Sequence, residues 1–192
     1  MLQEKLANYN IILASGSPRR QQFFKDLGIP FTIQLKEVDE IYPKELKGVE
    51  ITDYLADLKS QAFTNLNEND LLITSDTIVW LENEALGKPE NAEEAFQMLK
   101  KLSGKQHQVM TSISIKSLNF QVITNDTTNV YFKELSDEEI HYYIKTYKPF
   151  DKAGAYGIQE WIGFIAIEKL EGSYFNVVGL PVHKLYKELM KL

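Results

Sequence analysis

The spacing of apolar residues changes along the chain, and each change marks an element. Residues 9–13 ("YNIIL") form a short unbroken apolar run before Ala-Ser-Gly-Ser, the pattern of a buried strand. Ser17 and Pro18 then read as the N-cap and first position of a helix that Gly28 stops. "PFTIQL" predicts a second strand, and residues 51–63 show a helical period through Ile51, Tyr54, Leu55, Leu58, Ala62 and Phe63. "DLLITSDTIVWLENEAL" predicts a strand through Thr74, a polar interruption, and a hairpin at residues 82–84. Asn91 with Glu94 and Ser136 with Glu139 resemble capping boxes, opening helices that end at Gly104 and before Pro149. Between them lie two strand patterns, "HQVMTSISIK" and "FQVITNDTTNVYF". A glycine-rich loop, "DKAGAYGIQ", precedes a predicted strand "GFIAIEKL", and Val182, Leu185, Tyr186 and Leu189 define a last amphipathic helix.

Strands and helices alternate without repeats, low-complexity segments or a linker. This predicts one α/β domain over residues 1–192 with a central mixed sheet, antiparallel in the middle where hairpins replace helical crossovers. Composition narrows the function. With 21 basic and 27 acidic residues the chain carries a formal charge of -6, which argues against stable nucleic-acid binding. Cysteine is absent, which removes disulfides, thiolate nucleophiles and Cys-based zinc sites. No stretch approaches a membrane span, and "MLQEKLANYN" lacks the apolar run of a secretory signal. The expectation is a soluble, intracellular protein.

Against this acidic background, one local misfit stands out. Arg19 and Arg20 occupy the first turn of the helix from Pro18, where the helix dipole disfavours cations. Either both bend into solvent, or an anion sits there, met by the arginines, the backbone N–H groups and the hydroxyls of Ser15 and Ser17. No GxxxxGK[ST] occurs, so the loop is not a P-loop. Asp76 follows the strand ending near Thr74, a common place for catalytic carboxylates, although an Asx turn would also explain it. Glu37, Asp39 and Glu40 form an acidic run that is either a solvated loop or a source of oxygen ligands for a cation such as Mg²⁺. Lys88, held extended between Gly87 and Pro89, is a candidate for neutralising a leaving pyrophosphate. Gln159 has an amide that can accept from the imide N–H of uracil or thymine; flipped, it would pair with cytosine. The three histidines receive no role.

The ordered set "LASGSPRR", "VDE", "SDTIV", "GKP", "HQVMT", "DKAGAYGIQ" and "GSYFNVVGLP" resembles the Maf family of nucleoside triphosphate pyrophosphatases along almost the whole chain. The resemblance implies an elongated α/β fold similar to inosine triphosphate pyrophosphatases, with a mixed sheet flanked by helices and a cleft between two lobes. It further implies a homodimer and hydrolysis of a nucleoside triphosphate to monophosphate and pyrophosphate with Mg²⁺ or Mn²⁺; the cytoplasmic expectation rests on the missing cysteines. By position, Asp76 matches the proton acceptor, and Arg19, Thr77 and Gln159 match positions tied to substrate choice. Ser15, Ser17, Arg20, Glu40 and Lys88 match residues around the phosphates and metal, with Glu40 and Asp76 as the metal ligands. "SDTIV" and "AYGIQ" are similar to the branch acting on dTTP and UTP, not the sibling branch acting on 7-methyl-GTP. One departure is a family lysine expected where this chain has Ala62; Lys59, three residues earlier on the same helix face, is read as its replacement. The alternative role is the one behind the family name: a nucleotide-binding regulator of septum formation that needs no turnover.

Overall fold

The chain opens with a one-turn helix, α1 (Leu2–Lys5), that the pattern did not announce, followed by β1 (Asn10–Leu13). The computed structural model describes all of residues 1–192. Helix α2 (Pro18–Asp26) starts at Ser17 and closes through Leu27, with Gly28 at φ +64° in the left-handed turn predicted there. Strand β2 (Thr32–Ile33) is shorter than its apolar run, and residues 34–48 contain neither helix nor strand. Helix α3 (Val49–Gln61) follows.

Strand β3 (Asp70–Leu81) corrects the expected polar interruption: it runs unbroken for 12 residues through Ser75, Asp76 and Thr77. Buried polar side chains are tolerated when they are hydrogen-bonded or paired. Thr74 Oγ1 donates to Ala56 O at 2.6 Å, and Asp76 pairs with Lys59. The hairpin into β4 (Glu84–Leu86) turns at Glu82 and Asn83, whose φ values of 50° and 67° suit a tight primed turn.

Helix α4 (Ala92–Leu102) is capped by Asn91, which accepts from Glu94 N at 2.9 Å, but Glu94 takes the N–H of Glu90, so the box is half formed. Residues 117–120 join β5 (Gln106–Lys116) to β6 (Gln121–Phe132). Helix α5 (Asp137–Tyr147) has the full Ser136–Glu139 box. A 3₁₀ turn, Ala153–Ala155, leads to α6 (Trp161–Ala166), where a strand was expected from Gly163 onward. The reason is a close approach: a Cβ on Gly163 would lie 1.8 Å from Ile158 O, while Gly163 N donates to Glu160 O, so the chain winds tightly here. The strand β7 (Ile167–Glu171) begins only afterwards, followed by α7 (Tyr174–Val178) and α8 (Val182–Leu189).

The strands form a mixed sheet in the order β2-β1-β3-β5-β6-β7, with β4 on β3. β1 is parallel to both β2 and β3; β4 is antiparallel to β3 and β7 to β6. The chain forms two compact units, residues 1–76, 111–126 and 179–192, and residues 77–110 and 127–178. In the first, the period-two alternation of strands divides the core between two faces. Ile11, Leu13, Leu71 and Ile73 meet Phe24, Leu185 and Leu189, whereas Ile12 and Leu72 meet Phe63. The second has its own core around Leu99, Leu102, Val130, Ile140, Tyr143 and Ile162.

Candidate active site

Parallel pairing of β1 with β3 puts the end of β1 beside the fourth residue of β3: Leu13 is in register with Ile73, and Ala14 N donates to Ile73 O at 2.9 Å. The loop after β1 therefore emerges at the C-terminal end of its strand, where α/β proteins place their sites, beside the segment of β3 from Thr74 to Asp76. The loop is held by its own side chains. Ser15 is buried; its Oγ accepts from Ser17 N at 3.3 Å, and its carbonyl accepts from Gln21 Nε2 at 3.2 Å. Ser17 sits at the N-cap without making a side-chain cap bond. Gly16 has ordinary dihedrals and room for a Cβ, so the fold does not explain why it is glycine.

Arg20 does not bend into solvent. Its Nε donates to Gly179 O at 2.8 Å, and Nη1 donates to Ser75 O at 3.0 Å and Ser15 Oγ at 3.4 Å. Burial lowers its pKa to about 10, with Asp76 opposing the shift, Arg19 adding to it and Glu40 opposing it. It thus stays charged at neutral pH. The second cation in the helix start is half-answered by backbone carbonyls and two carboxylates. Arg19 lies half-buried in the same turn.

Lys59 projects from α3 with Nζ 2.6 Å from Asp76 Oδ1 and 3.0 Å from Glu40 Oε1. Asp76 is buried, whereas Glu40 is exposed, as are Glu37 and Asp39 in the same run. Lys59 therefore joins two acids 36 positions apart. Ala62 sits beyond the last turn of α3 against the cluster of Ile12, Phe63 and Leu72, a place suited to a small apolar side chain. The helix delivers its charge to the acids from position 59.

Two carboxylates converging on one cation position are oxygen donors of the kind Mg²⁺ or Mn²⁺ takes, and no group of three or more His, Asp or Glu forms a ready-made cage. Such a pair suits an ion that completes its shell with substrate phosphate oxygens and water.

Thr77, Lys88 and Gln159 belong to the second unit. Thr77 is half-buried in β3. Lys88 is exposed after β4, next to Gly87, whose carbonyl accepts from Gly154 N at 2.9 Å. That contact pins the glycine-rich loop. Gly154 has φ +66°, and a Cβ there would lie 2.7 Å from Val79 Cγ2; Ala155 also has positive φ, at 58°. Gln159 Oε1 is buried without a hydrogen-bond partner in the protein.

The residues that hold this loop carried no signal in the local pattern. Tyr143 is fully buried; its O–H donates to Glu160 and its oxygen accepts from Gly157 N at 3.1 Å. Burial and then the Glu160 hydrogen bond and charge push its hydroxyl pKa up, keeping it a neutral donor. Lys152, also buried, pairs with Glu160 at 3.0 Å and with Asp151 at 2.7 Å. In the sequence, the only trace is a Lys and a Glu bracketing "AGAYGIQ".

The chain matches the Maf-like protein family over residues 10–192. It is 62% identical to a dTTP/UTP pyrophosphatase of Flavobacterium johnsoniae across the full length of both chains. A dTTP/UTP pyrophosphatase of Phocaeicola vulgatus is 53% identical, covering 98% of this chain and 99% of that one. Among solved structures, a HAM1 protein from Coxiella burnetii covers 96% of this chain and 100% of that one, with TM-score 0.52 at 16% identity, a likeness of fold alone. A match that takes in the arginine helix, the Asp76 strand and the glycine-rich loop together makes this chain a member of the Maf-like protein family.

Proposed function

We propose that this protein is a nucleoside triphosphate pyrophosphatase that hydrolyses dTTP and UTP to the monophosphate and pyrophosphate. Relatives with that name at 62% and 53% identity over 98% or more of the chain support the reaction. The observation that carries it for this chain is the convergence of Asp76 and Glu40 on Lys59, with Arg20 clamped to the strand residue before Asp76.

The reaction is an in-line attack of water on the α-phosphorus. Asp76 orients that water and accepts its proton. Arg19, Arg20 and the amides of the Ser15–Ser17 loop neutralise the phosphates, and Lys88 neutralises charge as it gathers on the departing pyrophosphate. Phosphoryl chemistry of this kind rests on positioning and electrostatics, which suits a cation such as Arg20 held by backbone carbonyls. Glu40 and Asp76 would hold a divalent Mg²⁺ or Mn²⁺ ion, which supplies charge neutralisation on the phosphate oxygens. Thr77 and Gln159 select the base. dTTP and UTP share an imide edge and differ in a methyl group and a 2′-hydroxyl, so a pocket open at those two points accepts both.

A product assay tests the proposal. Purified protein is incubated with dTTP, UTP, CTP, GTP, ATP and 7-methyl-GTP plus Mg²⁺ or Mn²⁺. dTTP and UTP give monophosphate and pyrophosphate. Asp76→Asn lowers turnover by about 10²–10⁴-fold, the contribution of a positioned base. Nucleotide binding without turnover would refute the enzyme and leave a nucleotide-responsive regulator.

A further inference from the structure

Gln159 poses a problem for base selection, because a glutamine amide pairs with an imide edge in one orientation and with cytosine in the other. What fixes its orientation decides what it reads. The second unit places a carboxylate beside it. A Cβ built on Gly157 would lie 2.8 Å from Gln159 Nε2 and 3.0 Å from Glu160 Cδ, with Glu160 Oε2 at 3.1 Å. The amide nitrogen and the carboxylate thus lie over the same α-carbon, where a side chain would have to displace one of them. An amide that shares such a space with an anion favours the orientation with N–H₂ on the anion's side, because the carbonyl end would meet like charge.

Glu160 is itself not free to turn. Tyr143 donates to Oε2, Lys152 pairs with Oε1, and Tyr143 is anchored by the N–H of Gly157. Both oxygens are engaged by donors on separate elements, so the carboxylate keeps its place. The other end of the Gln159 amide, Oε1, is the buried oxygen without a protein partner. Buried polar atoms in native proteins are rarely left unpaired, so such an atom calls for a partner.

We propose that Glu160 is the positioning residue for Gln159, holding the amide N–H₂ toward its carboxylate and leaving Oε1 as the acceptor for the imide N–H of a uracil or thymine base. Cytosine presents a ring-nitrogen acceptor at the same point and meets two facing lone pairs. This inference rests on the pyrimidine triphosphate reading above and adds the reason cytosine is refused. Tyr143 and Lys152 act one step further out, through Glu160.

The test compares wild type with Glu160→Gln and Tyr143→Phe. It reads kcat and KM for UTP and CTP, and tryptophan fluorescence titration with the non-hydrolysable α,β-methylene analogues of both. Glu160→Gln removes the charge that sets the amide, and the UTP-over-CTP preference falls by about tenfold or more, chiefly through a lower KM for CTP. Tyr143→Phe keeps the carboxylate but frees it to turn, and shifts the preference in the same direction by less. An unchanged preference in both folded variants overturns the inference. So does an equal loss of UTP and CTP, which is the mark of a merely structural role. If wild type binds the UTP analogue over the CTP analogue but turns over neither nucleotide, hydrolysis fails, and the binding ratio in the variants still decides the inference. Binding of neither analogue by wild type overturns both.

Discussion

A buried histidine, His107, should make this protein lose stability on mild acidification. The imidazole is 2% exposed, its ring meets Phe132 and Tyr156 edge-on at 4.9 and 5.4 Å between centroids, and Nε2 shares a 2.7 Å hydrogen bond with Tyr156 O–H. Nδ1 is buried with no partner, and no carboxylate is bonded to the ring. A proton added here would create a buried charge with one N–H unpaired. Burial accordingly lowers the pKa from 6.5 to about 3. Between those values the unfolded chain binds a proton that the folded chain refuses, so stability rises with pH across the window and is lost as pH falls below 6.5. Relative to neutral pH, the linkage amounts to about 2 kcal/mol at pH 5. Urea unfolding followed by tryptophan fluorescence is the assay, because Trp80 and Trp161 lie in the same unit as His107. The comparison is His107→Gln, which can still bond Tyr156 but does not titrate. Wild type should lose about 2 kcal/mol more than the variant between pH 7.5 and pH 5. Equal losses in both would refute the neutral buried imidazole.

Arg20→Lys keeps the charge but cannot reach Gly179 O, Ser75 O and Ser15 Oγ together; unfolding free energy should fall by about 1–3 kcal/mol and kcat/KM for UTP by about tenfold or more. Steady-state kinetics matching wild type would count against the clamp. Gly154→Ala forces a side chain into φ +66° and onto Val79, so denaturation should show a loss of about 1–3 kcal/mol, and a change under about 0.5 kcal/mol would contradict the close approach. Lys59→Met leaves Asp76 and Glu40 without their shared cation; its melting temperature should drop, and Mg²⁺ should raise it more than it raises that of wild type. An equal Mg²⁺ response in the two proteins would remove the carboxylate pair as the ion's ligands.

Features set by neighbours in sequence were legible. The Ser136–Glu139 box, the Gly28 stop and the 82–84 hairpin depend on local geometry, and all formed where the pattern put them. Features set by distant partners were not. The polar triplet Ser75-Asp76-Thr77 reads as a break until Lys59 is seen against Asp76, and the apolar run from Gly163 fits helix or strand until Ile158 O closes on Gly163. Arg19 and Arg20 raised the choice between an anion near the start of α2 and two solvated side chains, but did not show that Arg20 would grip carbonyls from two other segments. Glu160 left only its place at the end of the glycine-rich loop, since a carboxylate one residue after Gln159 looks like any surface glutamate before a helix.

The Lys59 bridge also bears on how fast a polyanion arrives. Two carboxylates there are matched by Lys59, Arg19 and Arg20, a surplus of one positive charge in a chain that carries -6 overall. A nucleotide diffusing in is repelled at long range and attracted only within about a Debye length, roughly 8 Å at physiological ionic strength. Modest added salt screens the distant repulsion first, so the association rate should climb before it falls. That is the reverse of electrostatic steering by a basic surface, and it makes encounter slowest in the most dilute buffers.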